Sequence, residues 1–126
     1  MAAKRHLETG FRLLLVLALV VTTWASLTPD PIPLPDGPQM DKWAHLAAYV
    51  VLAMLVDFSW PDRAFNLPKW AGLLGYGIAI ELIQSQVPNR MLSIADLAAN
   101  TAGIALYAFL ILRTLRTLGL RKPHLM

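Results

Sequence analysis

The chain has 126 residues, of which 56% are hydrophobic and only 15% charged, with a formal net charge of +3 and no cysteine. An ordinary soluble domain carries roughly 25% charged residues, so this composition predicts one domain shifted toward a lipid solvent. The lack of thiols excludes disulfides, thiolate catalysis and Cys-ligated metal, and basic residues scattered without interleaved aromatics do not describe a nucleic-acid surface.

Lys4, Arg5 and Arg12 precede an apolar run, and residues 11–27 are long enough to span a bilayer. A leader cleaved near Thr23-Trp24-Ala25 is the alternative to a retained first helix. Pro29, Pro31, Pro33, Pro35 and Pro38 then bar helix and favour an extended, stiff polyproline II spacer over a docking ligand.

Asp41 opens the second apolar segment, about 43–60, and reads as its N-cap. Asp41, His45 and Tyr49 form one stripe at i, i+4 and i+8, and Lys42 beside them reads as snorkelling to head groups. Asp57 lies one turn from the far end of this segment, with Arg63 or Lys69 as pairing candidates, and is not counted in the site. Pro61-Asp62-Arg63 ends the segment.

The third segment, about 68–86, has Gly72, Gly75, Gly77 and Ala79 as a small-residue face for close helix contact, and Glu81 and Gln84 near its end. The chain breaks at Pro88-Asn89, presents Arg90, and enters a fourth segment at about 94–112. There Ser93, Asp96 and Asn100 share one helix face, Ser93-x-x-Asp96 reads as a capping box, and Ala95, Ala99 and Gly103 stand four apart. Arg113, Arg116, Arg121 and Lys122 alternate with leucines in the tail.

These segments predict an all-α polytopic membrane protein, a four-helix transmembrane bundle in one domain over residues 1–126. Assigned to alternate sides, one side holds nine basic residues (Lys4, Arg5, Arg12, Arg63, Lys69, Arg113, Arg116, Arg121 and Lys122) and the other only Lys42 and Arg90. That asymmetry predicts both termini in the cytoplasm, with Trp24 and Trp43 near the outer surface and Trp60 and Trp70 near the inner one.

In this topology Asp41, His45, Tyr49, Glu81, Gln84, Arg90, Ser93, Asp96 and Asn100 gather at the extracytoplasmic end as a candidate ligand-binding set. His45, Glu81 and Asp96 are the candidates for any acid–base role. Glu81 and Asn100 lie deeper than a cap, where an isolated charge costs at least about 2.5 kcal/mol. The competing reading is a network of Glu81, Arg90 and Asp96 that only locks helices together. Asp41, Glu81 and Asp96 nearly balance Lys42, Arg90 and a protonated His45, which disfavours a polyanion. A hard divalent ion among these carboxylates, or hydrolysis with Ser93 as nucleophile and His45 as base, finds no specific spacing or nucleophile elbow, and no cofactor is called for.

Asp41-Lys42-x-x-His45-x-x-x-Tyr49, Glu81-x-x-Gln84 and Arg90-x-x-Ser93-x-x-Asp96-x-x-x-Asn100-x-x-Gly103 together resemble the VanZ-like family of small membrane proteins, over about residues 40–107. The resemblance implies a multi-helix module of bacterial envelopes with a polar site in these motifs, in a family whose name-giving member is associated with resistance to the glycopeptide teicoplanin. The expectation is a protein of the cell membrane, in contact with membrane lipids, that binds a lipid-linked or amphiphilic cell-surface molecule. An embedded enzyme acting on such a molecule, and a small proton-coupled exporter using Glu81, are the alternatives.

Overall fold

The computed structural model describes residues 2–28, 40–87 and 93–121. The proline spacer, the Pro88-Asn89 break, Arg90 and Lys122 lie outside these residues. Four helices follow in order: α1 (Ala2–Leu27), α2 (Met40–Ser59), α3 (Leu67–Gln84) and α4 (Ile94–Leu106). The last continues through a π-helical turn (Tyr107–Ile111) into α5 (Leu112–Thr117). α1 starts well before the expected boundary, because residues 2–10 contain no proline to stop a helix extending back from the apolar run. Pro68 sits in the first turn of α3, where its missing N–H costs nothing.

Each helix runs antiparallel to the one before it. Lys4 of α1 pairs with Asp62 beyond the end of α2 at 2.8 Å, and Arg12 donates to the Ser59 carbonyl at 2.9 Å. At the opposite end Gln84 of α3 donates to the Ser26 carbonyl of α1 at 2.7 Å. The start of α1 and the end of α5 therefore share one end of the bundle, with Lys4, Arg12, Arg63, Lys69 and Arg121. Trp60 and Trp70 lie toward this end and Trp24 and Trp43 toward the other, all four exposed.

α1, α2 and the continuous helix Ile94–Thr117 are long and apolar enough to cross a membrane. α3 is not among them: Lys69, Glu81 and Gln84 dilute its apolarity, and all three are buried. The bundle is inverted relative to a soluble domain. Leu13, Leu14, Val16, Leu17 and Val20 are exposed, whereas Asp57, Lys69, Glu81, Asn100 and Arg121 are buried. Such an exterior is unfavourable in water and favourable in hydrocarbon, while buried charge needs partners in either solvent.

The small-residue face expected on α3 is corrected at two of its glycines. A side chain at Gly72 or Gly75 would meet nothing within 4 Å, because both face outward. Close approach occurs at Gly77, and above all at Gly103 of α4, where a Cβ would run into the Leu46 carbonyl oxygen and lie 3.2 Å from the Val50 nitrogen of α2. α2 and α4 run parallel here and pack more extensively than any other pair. Gly103 thereby fixes their register, and the register decides which polar residues meet.

Candidate functional site

Two polar clusters occupy opposite ends of the bundle, and they differ in how fully their hydrogen bonds are satisfied. At the basic end the centre is Asp57, which is 0% exposed. Its Oδ1 accepts from Lys69 Nζ at 2.8 Å and Arg121 Nη2 at 2.7 Å, and its Oδ2 from Tyr107 Oη at 2.6 Å and Arg121 Nε at 2.9 Å. Two cations on one carboxylate would leave buried charge uncompensated, but both also bind carbonyls where α2 ends. Lys69 donates to Trp60 O at 3.0 Å and Arg63 O at 2.7 Å, and Arg121 to Pro61 O at 2.6 Å and Arg63 O at 3.0 Å. These carbonyls belong to the turn just past α2, and Lys69 also reaches the Asp57 carbonyl of the last helical turn at 3.3 Å, so Asp57, the helix end and the turn together offset the pair.

Local structure delivers each partner. The π turn starts at Tyr107, whose ring packs edge-on against Phe65 with centroids 5.2 Å apart. Gly119, at φ 75°, reverses the chain after α5 through bonds from Gly119 N to Arg116 O and from Leu120 N to Leu115 O. This is a Schellman stop, and it returns Arg121 to Asp57. The Asp57 carboxylate holds the guanidinium of Arg121 even more firmly protonated than usual.

This cluster bears out one of the two pairings expected for Asp57. Lys69, not the Arg63 side chain, is the partner, and Arg63 contributes only its carbonyl. The signal was present in sequence: an aspartate embedded in an apolar helix must find cations. What could not be seen was that one of them, Arg121, comes from the far side of a glycine turn.

At the other end α2 and α4 are joined by two rungs. Lys42 Nζ approaches Asp96 Oδ1 at 2.7 Å, and one turn deeper His45 Nδ1 and Asn100 Oδ1 are 3.0 Å apart. With Asn100 Oδ1 accepting, Nδ1 carries the proton, and the other ring nitrogen faces Asp96 Oδ2 at 3.8 Å. Lys42 also pairs with Asp41 at 2.5 Å, so it turns across the helix ends instead of reaching outward to head groups as expected. Its approach to Asp96 is a charge contact without hydrogen-bond angles, and Oδ1 makes no hydrogen bond among the described residues. Asp41 lies within the first turn of α2 and is not its N-cap. Ser93 is the N-cap of α4, accepting from Asp96 N at 3.1 Å; with Asp96 turned toward Lys42, only this half of the expected box is formed.

Tyr49 and Asn100 close the cluster from below. Both are buried and meet over Gly77, whose absent Cβ would lie 3.0 Å from Tyr49 Oη and 3.2 Å from Asn100 Nδ2. Gln84 does not join them. It is buried but drawn to the Ser26 carbonyl, so it belongs to the seam between α1 and α3.

Glu81 differs from the other buried charges among the described residues, Asp57, Lys69 and Arg121. It is 1% exposed, near the carboxyl of Asp96 and faced by the Ser93 backbone N–H, yet neither carboxylate oxygen makes a hydrogen bond among the described residues. It also stands near the C-terminal end of α3, where the helix dipole disfavours an anion. The set brought together is therefore Asp41, Lys42, His45, Tyr49, Glu81, Asp96 and Asn100, graded from an exposed rim at Asp41 to a buried floor at Glu81. Among the described residues no group of three or more His, Cys, Asp or Glu side chains is arranged to hold a metal ion.

Polar groups inside and apolar groups outside define an all-helical bundle suited to a lipid solvent. The chain matches no family model, no curated protein and no solved structure.

Proposed function

We propose that the chain is a four-span membrane protein of the bacterial cell envelope, with both termini cytoplasmic, that binds the head group of a lipid-linked or amphiphilic cell-surface molecule at the Glu81 end. One observation carries this reading: the buried Glu81 carboxyl has no donor in full hydrogen-bond geometry among the described residues, with only the Ser93 N–H and the Asp96 carboxyl beside it. An acceptor held in that state suits a ligand that donates, such as a hydroxyl-rich or amine-bearing head group, and not a phosphate. Asn100 and His45 add orienting groups beside it, and the apolar exterior gives the ligand's tail a lipid surface to lie on. The motif resemblance to VanZ-like proteins supports an envelope role and, with it, an influence on susceptibility to glycopeptides such as teicoplanin.

Catalysis is the weaker reading, because Ser93 is occupied as a cap and His45 is engaged with Asn100. Proton-coupled export is weaker again. Between the two polar clusters lies a layer of Leu52, Ala53, Leu73 and Ile104, none of which carries a proton.

The binding reading is tested by native mass spectrometry of protein extracted from its own membrane. The wild type is expected to carry a copurifying amphiphile that His45→Ala and Asn100→Ala lose while remaining folded and inserted. Equal loading of all three would remove the site. Orientation is tested separately: cysteines at Gln39 and Asn89 should react with an impermeant reagent in intact cells, and one at Ala64 should not. Labelling at Ala64 alone would invert the topology.

A further inference from the structure

Glu81 sets a narrower requirement on its ligand than hydrogen-bond donation alone. Its carboxyl is 1% exposed, and neither oxygen has a hydrogen-bond partner among the described residues. The described cations are engaged elsewhere. Lys42 bridges Asp41 and Asp96 at the rim, while Lys69 and Arg121 sit on Asp57 at the opposite end. His45 Nδ1 is held by Asn100 Oδ1 at 3.0 Å, and Gln84, next along α3, is drawn to the Ser26 carbonyl. What lies beside Glu81 is the Ser93 backbone N–H and a second carboxyl, that of Asp96. The N–H carries no formal charge, and a neighbouring carboxylate adds repulsion.

The candidates for this position differ in charge and in the number of N–H or O–H groups they bring. A neutral hydroxyl would satisfy an oxygen and leave the charge uncompensated in a setting where charge is expensive. A metal ion finds no group of three His, Cys, Asp or Glu side chains among the described residues. A quaternary ammonium has charge without N–H and is recognised by a cage of aromatic faces, whereas Tyr49, the one phenol in the set, is packed beside Tyr76 with ring centroids 6.4 Å apart. A guanidinium brings five N–H groups, and those beyond the Glu81 oxygens would compete for few remaining acceptors, since Asn100 Oδ1 is already used by His45. A primary ammonium puts one charge and three N–H groups on a compact centre. Two of these match the Glu81 oxygens, and the Asp96 carboxyl beside them takes the third. Next to the carboxyl, Ile78 and Leu82 of α3 and Ile94 of α4 are exposed and apolar, which gives a hydrocarbon tail a surface to follow.

Given the head-group site above, on which this inference rests, we propose that its ligand is a primary amine carried on the head of an amphiphile, with the ammonium between Glu81 and Asp96.

The test uses amphiphiles that share a dodecyl tail, titrated into full-length protein in phosphatidylcholine nanodiscs and read by the rise in unfolding temperature. Dodecylamine is expected to half-saturate at a mole fraction at least about tenfold below dodecyltrimethylammonium, dodecylguanidine and dodecyl maltoside. Propylamine, with the same ammonium and little tail, should not saturate in that range. Glu81→Gln should remove the preference for dodecylamine. Asp96→Asn, which keeps Glu81, should reduce it, and keeps the test decisive if Glu81→Gln does not fold. Tightest binding of dodecyl maltoside, lost in Glu81→Gln, would overturn the amine and leave the head-group site standing. If no amphiphile distinguishes the wild type from Glu81→Gln, both fall. Equal binding of dodecyltrimethylammonium, or a preference for dodecylamine that survives Glu81→Gln, would reduce the effect to general charge attraction and overturn the assignment. Propylamine as effective as dodecylamine would make the ligand a soluble amine and overturn the amphiphile. Amine binding that appears only in Arg90→Gln would mean that Arg90 fills this position from within the chain, and would equally overturn it.

Discussion

Asp57→Ala is expected to cost the bundle about 3–5 kcal/mol, enough to remove most folded protein from a detergent extract. The variant deletes the carboxylate that accepts from Lys69, Arg121 and Tyr107, and leaves two buried cations facing only the carbonyls near the end of α2. The effect should be graded by how much charge is stranded. Tyr107→Phe removes one neutral donor and should cost about 1 kcal/mol, with Asp57 still bound by both cations. Thermal unfolding in detergent, followed by circular dichroism and size-exclusion profile, measures both. A melting curve for Asp57→Ala within experimental error of the wild type would mean that this network does not hold the helices together.

Glu81→Gln is expected to do the opposite: to leave folding intact or improved and to weaken ligand loading. A buried carboxylate without hydrogen bonds among the described residues is a liability, and an ion at such depth costs at least about 2.5 kcal/mol. The amide keeps the shape while removing that charge, so a rise in melting temperature is the expected direction, as when a functional site trades stability for activity. Binding should fall by roughly ten- to a hundredfold, because a charge-assisted bond to the ligand becomes a neutral one. The measurement pairs the melting curve with native mass spectrometry on the same preparation. A parallel loss of fold and ligand, as in Asp57→Ala, would place Glu81 in a structural lock instead.

The contrast between these carboxylates turns on partners and not on burial, since both are buried almost completely. At Asp57 every acceptor is met and the helix end absorbs the second cation. At Glu81 the acceptors are held ready, beside a second carboxylate, at a helix end of the wrong polarity. Packing alone would favour an apolar residue of similar size there, and that is the difference the two variants measure.

Much of the architecture follows from linear pattern. Apolar runs of spanning length, interrupted by proline and ended by charge, specify helices close to the observed α2, α3 and α4, because a backbone in hydrocarbon must satisfy its own hydrogen bonds. The face shared by Ser93, Asp96 and Asn100, the stripe of His45 and Tyr49, and the depth of Glu81 are likewise properties of helical spacing. Other features depend on long-range contact. The register of α2 on α4 is set by one glycine, Gly103, against the Leu46 carbonyl, and only that register pairs Lys42 with Asp96 and His45 with Asn100. Gln84 has the same spacing to Glu81 that would suit a shared site, but α1 offers it a carbonyl first. Arg121 reads as one more basic residue in a tail until Gly119 turns it onto Asp57. Helix and depth are local or one-dimensional quantities and can be read along the chain. Which charge is satisfied and which is left waiting is decided by groups distant in sequence, and only the packed bundle brings them within 3 Å.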